Sequence, residues 1–171
     1  PQTINFNEII SALHLREKLV YLSISNNIVT LDIPSLAEVS RYSVGIPAES
    51  ITSSSDGKIL ALTDNSGTLQ FFSTEEQKIV GPARREVWNA AWSQDTPNQF
   101  AASERQKLFV YNNLEPEEPL QSLSHIAQFS DLEILCVDLI RLMTDPINPG
   151  KRLFRSYPTK VLRELKMMLT N

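Results

Sequence analysis

The 171-residue chain is 42% hydrophobic, which is enough apolar side chain for a packed core, and its net charge is −4 with a pI of about 5.2. The acidic balance argues against nucleic acid as the main partner, because binding to phosphates needs a basic surface. A single cysteine, Cys136, excludes an internal disulfide, and no apolar run approaches the roughly 20 residues of a membrane span. Because the first residue is Pro1 rather than Met, we expect the chain to be a fragment of a longer protein.

Three segments along the chain share one pattern. Residues 16–35, 55–75 and 95–113 each contain a short strand, a polar turn and a second alternating strand, with turns at 25–27, 64–67 and 104–107. The segments are offset by about 40 residues, which is the period of a WD-type propeller blade of four strands. The pattern predicts a mainly β chain, with about three four-stranded antiparallel blades between residues 8 and 130. The alternative is a meander of unrelated hairpins.

The middle segment fits the blade pattern best. Gly57 supplies the positive φ of a turn, and the apolar residues 59–62 suit a strand covered on both faces. Phe72-Ser73 lies where the common repeat ends in Trp-Asp. The other two segments have Leu31-Asp32 and Tyr111-Asn112 at that place, so they depart from the common repeat.

A tryptophan pair marks the strand before the third hairpin. Trp88 and Trp92 are four positions apart, so they fall on one face of a regular strand. We expect both side chains to lie in or against the packing between blades.

The pattern changes after residue 130. Residues 132–143 form a long apolar run that fits either an extended strand or a short helix, and the prolines and glycine within 145–150 form a strong break. From Pro158 the apolar residues recur at helical spacing, and a proline suits the first helical turn. The apolar face consists of Val161, Leu162, Leu165, Met168 and Leu169. We therefore predict propeller blades over 1–143, a linker over 144–157 and a helix over 158–171.

Few side chains suit catalysis or metal binding. His14 and His125 are far apart in the sequence, and His14 lies in an apolar alternating strand, which favours a core position over a ligand. Cys136 lies inside an apolar run, which favours a buried, unreactive thiol. No metal-ligand spacing, serine-nucleophile motif or glycine-rich phosphate loop occurs in the sequence. The sequence therefore predicts no enzymatic activity, no cofactor and no metal site.

Two charged loops have alternative interpretations. Glu115, Glu117 and Glu118 could form an acid/base pair, but they lie between prolines in one short turn. A solvated turn between strands is favoured, because nothing nearby in sequence would raise a carboxyl pKa. Arg84 and Arg85 fit either a loop between blades or a contact with an acidic partner surface.

An ordered series of motifs carries a family resemblance. The series is Val-Trp-Asn-Ala-Ala-Trp at 87–92, Asn-Leu-Glu-Pro-Glu-Glu-Pro at 113–119, Asp-Leu-Glu-Ile at 131–134 and Asp-Pro-x-x-Pro at 145–149. In this order and at this spacing it resembles the intraflagellar transport protein 121 family, whose members are also called WD repeat-containing protein 35. That family supplies a subunit of intraflagellar transport complex A.

The resemblance implies an architecture and a role. The family has two N-terminal β-propellers followed by a solenoid of tetratricopeptide-like helical hairpins. The chain would hold the last blades of the second propeller, and 158–171 would be the first helix of the solenoid. The implied function is a non-catalytic scaffold for retrograde ciliary transport, cilium assembly and entry of membrane proteins into cilia. The implied location is the cilium or flagellum, the basal body and the cytoplasm.

Partners are expected at charged surfaces. The implied partners are the other subunits of complex A and ciliary membrane-protein cargo, with no nucleic acid. The residues that we expect at a partner surface are Arg84, Arg85, Glu115, Glu117, Glu118, Arg163, Glu164 and Lys166. Two alternatives remain open, which are a propeller subunit of a vesicle coat of the α- or β′-coatomer type and a hydrolase built on a propeller.

Overall fold

A computed structural model describes residues 8–15, 18–144 and 153–170. The chain divides into two compact units, 1–85 and 86–171, and each contains two antiparallel sheets. Unit 1 holds sheet 1 and sheet 2. Sheet 1 consists of β1 (Ile10–Leu15), β2 (Leu19–Ser23), β3 (Asn27–Leu31) and β4 (Glu38–Ser43), and sheet 2 of β5 (Ala48–Ser53), β6 (Ile59–Asp64), β7 (Leu69–Ser73) and β8 (Lys78–Arg84). In both sheets the strands pair in chain order, as in a meander.

Unit 2 holds sheet 3, sheet 4 and two helices. Sheet 3 consists of β9 (Val87–Trp92), β10 (Gln99–Glu104), β11 (Lys107–Asn112) and two short strands on its outer side, β12 (Glu115–Pro116) and β13 (Leu120–Gln121). Sheet 4 consists of β14 (His125–Phe129), β15 (Glu133–Val137) and β16 (Phe154–Pro158). Helix α1 (Leu139–Thr144) follows β15, and helix α2 (Lys160–Thr170) follows β16.

The core of each unit forms from the apolar faces of its two sheets. In unit 1, Leu22 and Ile28 of sheet 1 cluster with Leu60, Leu62 and Phe72 of sheet 2. β2 is buried at every position, as its unbroken apolar run requires. Complete burial of each such side chain contributes about 1.5–3 kcal/mol, so the pairing of sheets stabilises each unit.

In unit 2 the core joins the last two sheets. Leu108 of sheet 3 clusters with Phe129, Ile134 and Cys136 of sheet 4. Behind it, the rings of Trp92 and Phe100 lie 4.8 Å apart. The aromatic and branched side chains in these strands therefore fill the space between the sheets.

A serine after the first strand recurs in three sheets. The Ser54 hydroxyl accepts a hydrogen bond from the Ile59 backbone N–H at 3.1 Å, and Ser93 accepts from Thr96 at 3.2 Å. In sheet 4, Ser130 accepts from the Glu133 backbone at 3.3 Å. A hydroxyl that replaces a backbone partner is the usual way for serine to close a turn. The repeat therefore extends to sheet 4.

The mainly β propeller fold class is confirmed. All three predicted hairpins are present, as β2–β3, β6–β7 and β10–β11, and each forms the middle of a sheet. Sheet 4 is an addition to the predicted set of about three blades. It was missed because its strands β15 and β16 are separated by a helical insertion.

The predicted C-terminal boundaries need correction. The run 132–143 contains both a strand, β15, and a helix, α1. Residues 154–157, which were predicted to be part of a linker, lie in β16 and pair with β15. Pro158 ends that strand rather than opening the helix, which starts at Lys160. The predicted break at 145–150 lies outside the described residues.

Candidate functional site

The acidic turn lies on the outer side of sheet 3. Glu115 is exposed in β12 and pairs with Asn112, while the Glu117 backbone N–H donates to the Val110 carbonyl at 2.7 Å. The Glu118 side chain is exposed to solvent. These contacts agree with the interpretation of a solvated turn, which here runs alongside β11.

Helix α2 lies beside this turn. An Arg163 nitrogen is 3.7 Å from a Glu117 carboxylate oxygen. Between the helix and the turn is a groove of about 490 Å³. The groove is lined by Glu117, Glu118, Pro119, Leu120, Lys160 and Arg163. The structure thus brings together predicted surface residues that are far apart in the sequence.

Thr159 attaches the start of α2 to sheet 4. Its backbone N–H donates to the Leu132 carbonyl at 2.9 Å, and its buried hydroxyl donates to the Asp131 and Leu132 carbonyls. The same hydroxyl oxygen lies 3.5 Å from the Leu162 N–H, as expected of a helix N-cap. The helix is therefore fixed at its N-cap, Thr159, and again, one turn later, by Arg163.

The apolar face of α2 is largely uncovered within the described residues. Val161 is 40% exposed and Leu169 is 87% exposed, while Leu162 is half-buried. Glu164 is exposed and lies 3.9 Å from the Lys160 ammonium. Lys166 is exposed on the same helix. The helix thus presents an apolar strip and a separate charged side.

The predicted arginine pair belongs to unit 1. Arg84 is the last residue of β8, where it pairs with Leu69, and it is half-buried. Arg85 is exposed. The remaining predicted surface residues all belong to unit 2.

The cysteine and the two histidines, which were the candidates for chemistry, are buried or half-buried in strands. Cys136 is fully buried, as predicted, and burial raises the pKa of its thiol to about 11. His14 and His125 are half-buried in β1 and β14, which belong to different units. In the part of the chain that the structure describes, no group of three or more His, Cys, Asp and Glu residues is placed to hold a metal ion. None of the helices described has the length and apolar character needed to cross a membrane.

One of the two predicted tryptophan positions is corrected. Trp92 is 5% exposed and packs as expected, but Trp88 is 42% exposed. The pairing of β9 with β10 contains a bulge, since Val87 and Asn89 have partners in β10 and Trp88 has none. The extra residue turns the Trp88 side chain outward. In a regular pleat both side chains would share one face, so the spacing in the sequence does not reveal the bulge.

Sequence reasoning also missed a charged network on one face of sheet 1. The Tyr21 hydroxyl donates to Glu8 at 2.8 Å, and Arg41 donates to Glu8 at 3.0 Å and to Glu38 at 2.8 Å. The Tyr21 hydrogen bond, followed by Arg41, holds the pKa of Glu8 below its usual value. The hydrogen bond from Arg41 likewise lowers the pKa of Glu38. The contact between Glu8 and Arg41 spans 33 residues of sequence, so no local pattern signals it.

Antiparallel meanders of three to five strands that repeat along the chain, three of them with the same serine turn, define a WD-type β-propeller protein. Solved propellers share this fold. The structure titled "Structure of U3-55K" superposes with a TM-score of 0.58 at 15% identity, covering 78% of this chain and 47% of that one. The RRP9 WD40 repeats give a TM-score of 0.57, also at 15% identity, covering 78% and 46%.

The family assignment is more specific. The family model described as the WDR35 second beta-propeller matches residues 2–156. Human WD repeat-containing protein 35 is 31% identical over 156 residues, which is 85% of this chain and 13% of that protein. The mouse protein is 31% identical over 147 residues, or 80% and 12%. The chain therefore belongs to the WD repeat-containing protein 35 family, and it spans about an eighth of the length of these relatives.

Proposed function

We propose that this chain forms part of a non-catalytic scaffold subunit of intraflagellar transport complex A. The observation that carries the proposal is the match to the second propeller of the WD repeat-containing protein 35 family over residues 2–156. On this proposal the subunit acts in retrograde transport, cilium assembly and the entry of membrane proteins into cilia. It resides in the cilium or flagellum, the basal body and the cytoplasm, and its partners are the other subunits of complex A and membrane-protein cargo.

The chemistry of the described side chains supports a scaffold over an enzyme. The Cys136 thiol is buried and its pKa is raised, so it stays protonated and cannot act as a nucleophile near neutral pH. Glu117 is engaged by Arg163 in an accessible turn rather than held in an apolar pocket. Repeated sheets, by contrast, offer broad exposed surfaces for other proteins.

We also propose that α2 is the first helix of a solenoid. Thr159 and Arg163 fix the helix to unit 2, and its strip of apolar side chains remains exposed. A helix of this length is marginal in water unless its apolar face is packed. A following helix of the same protein is the proposed cover.

Purification from ciliated cells tests the proposal. A tagged full-length protein, expressed in cells that lack their own copy, is expected to recover the complex A subunits and to restore ciliary length. Recovery of vesicle-coat subunits instead would favour the coatomer alternative. Recovery of neither set, with a correctly folded protein, would contradict the proposed function.

A further inference from the structure

Each of the four sheets carries a one-residue bulge in its first strand. The unpaired residues are Ser11, Glu49, Trp88 and Ala127. All four side chains are exposed. Bulges turn a side chain away from the pleat and recur beside functional sites. Only sheet 3 places a large aromatic side chain at this position.

The surroundings of Trp88 hold its ring in a fixed position. Its indole N–H donates to the Arg105 carbonyl at 3.1 Å, and its ring centroid lies 6.4 Å from that of His125. Arg105 in turn forms an ion pair with Glu86. The indole N–H is therefore already used, and the free part of the ring can offer only apolar and π contact.

An exposed leucine lies at the same end of the unit. Leu123 is exposed, and its neighbour Ser122 donates a backbone hydrogen bond to the Gln106 carbonyl at 3.0 Å. Gln106 follows Arg105 in the turn that receives the Trp88 hydrogen bond. We name Trp88, Arg105, Leu123 and His125 the Trp88 patch.

Positive charge surrounds the patch. Asp138 follows Val137, the residue of β15 that pairs with His125, and it lies 3.5 Å from Arg141 and 3.4 Å from Arg155. Lys107 is exposed at the start of β11. Among the described residues at this end, the cations are Arg105, Lys107, Arg141 and Arg155. Of the carboxylates, Glu86 is exposed, while the Asp138 side chain is only 14% exposed. The third carboxylate, Glu104, is buried and bonded to the Tyr111 hydroxyl. The surface is thus locally basic in a chain whose net charge is −4.

From this combination we propose that the Trp88 patch docks an acidic segment of a partner protein, with an apolar residue of that segment packed against the indole ring. The inference rests on the proposed scaffold function and names the chemistry of one contact. Buried tryptophans carry a large share of binding energy at protein interfaces, and surrounding charges set the rate and the salt dependence of association. A nucleic acid duplex would use the cations but would leave Trp88 and Leu123 without apolar contact. A single strand could stack a base on the indole, so it is one of the outcomes that the titration below distinguishes.

Four substitutions in the tagged full-length protein, one of them a control, test the docking. Trp88→Ala should weaken recovery of at least one complex A subunit about 30-fold, as expected of a central aromatic contact, and Trp88→Phe should weaken it much less. Lys107→Gln should weaken recovery about twofold to fivefold and reduce its dependence on salt. Glu49→Ala changes the equivalent bulge in sheet 2, and as the matched control it should change nothing.

A direct titration separates this inference from the proposed function. The fluorescence anisotropy of a labelled peptide of repeating Glu and Leu, and of its Lys and Leu counterpart, would be followed as purified full-length protein is added. Preference for the acidic peptide, lost in Trp88→Ala, supports the inference even if complex A subunits are not recovered. Equal binding of both peptides, or normal subunit recovery by Trp88→Ala, overturns it. Tighter binding to vesicles rich in phosphatidylserine, or to single-stranded DNA, than to the acidic peptide also overturns it.

Discussion

At the residue scale, polar side chains in turns decide how the hairpins close. The Asp64 carboxylate accepts hydrogen bonds from the Ser66 backbone N–H at 2.9 Å and the Thr68 backbone N–H at 2.8 Å. Partial burial acts to raise the pKa of Asp64, but these hydrogen bonds and those from the two hydroxyls outweigh it, so the pKa lies below its usual value. A single carboxylate therefore organises the turn between β6 and β7.

Replacing this carboxylate should loosen sheet 2. Asp64→Ala leaves two backbone donors without their acceptor, and we expect it to lower the free energy of unfolding by about 1–3 kcal/mol. Denaturant unfolding followed by fluorescence measures the change. Asn65→Ala is the matched control, because Asn65 is exposed in the same turn. An equal loss in both variants would show that the turn, rather than the carboxylate, is responsible.

Arg41 should make stability depend on pH in the acid range. The pKa values of Glu8 and Glu38 are lowered in the folded protein from about 4.5, so the stability that they supply is complete above that value. It is lost as pH falls through the lower folded values. Arg41→Gln removes the shared partner, so it should lower the melting temperature most near pH 7 and least in acid. The fall in melting temperature on acidification should therefore be flatter in the variant. An unchanged acid profile would contradict this assignment.

At the element scale, the hairpins could be predicted because their turns are local in sequence. Features that depend on contacts between distant residues could not be predicted. The polar turns at 25–27, 64–67 and 104–107 each consist of consecutive residues. The middle strands of three sheets could therefore be predicted from the sequence. The insertion between β15 and β16 hid sheet 4, and the bulge at Trp88 broke the strand periodicity. The pair of Glu117 and Arg163 joins residues from separate elements, so only the fold brings the candidate surface together.

The junction between β16 and α2 should depend on one hydroxyl. Thr159→Val keeps the shape of the side chain but removes the N-cap and the hydrogen bonds to the Asp131 and Leu132 carbonyls. We expect α2 to lose about 1–2 kcal/mol of local stability. Hydrogen exchange should then be faster at the first turn of α2 and unchanged in β6. Thr159→Ser, which retains the hydroxyl, should exchange nearly as slowly as the original protein.

At the scale of the whole molecule, the chain is organised in pairs of sheets. Each compact unit has a core to which both of its sheets contribute, so neither sheet of a pair can be removed without exposing apolar side chains. In such repeat proteins, stability is approximately a sum over neighbouring units. Assembly with partners must therefore use exposed surfaces, among which the strip on α2 and the Trp88 patch are candidates.

The strip on α2 should be needed for assembly. Leu165→Asp places a carboxylate in the face that we expect a following helix to cover, at a penalty of several kcal/mol if that cover is complete. Recovery of complex A subunits by the full-length protein should fall severalfold, and melting should shift downward. Leu165→Met, which keeps an apolar side chain of similar size at the same position, is the matched control and should leave both nearly unchanged. Full recovery with Leu165→Asp would mean that α2 is not the junction.

Because a single residue, Thr159, connects β16 to α2, a change of backbone angle at this residue would be transmitted along the whole helix. Eleven residues give it a length of about 16 Å, so a tilt of about 10° at Thr159 would displace its far end by about 3 Å. Glu117 contacts Arg163 one turn after Thr159. A displacement of the acidic turn would therefore move the start of the helix slightly and its far end by a larger distance. Small distortions of the last sheet would in this way become movements large enough for a neighbouring helix to follow.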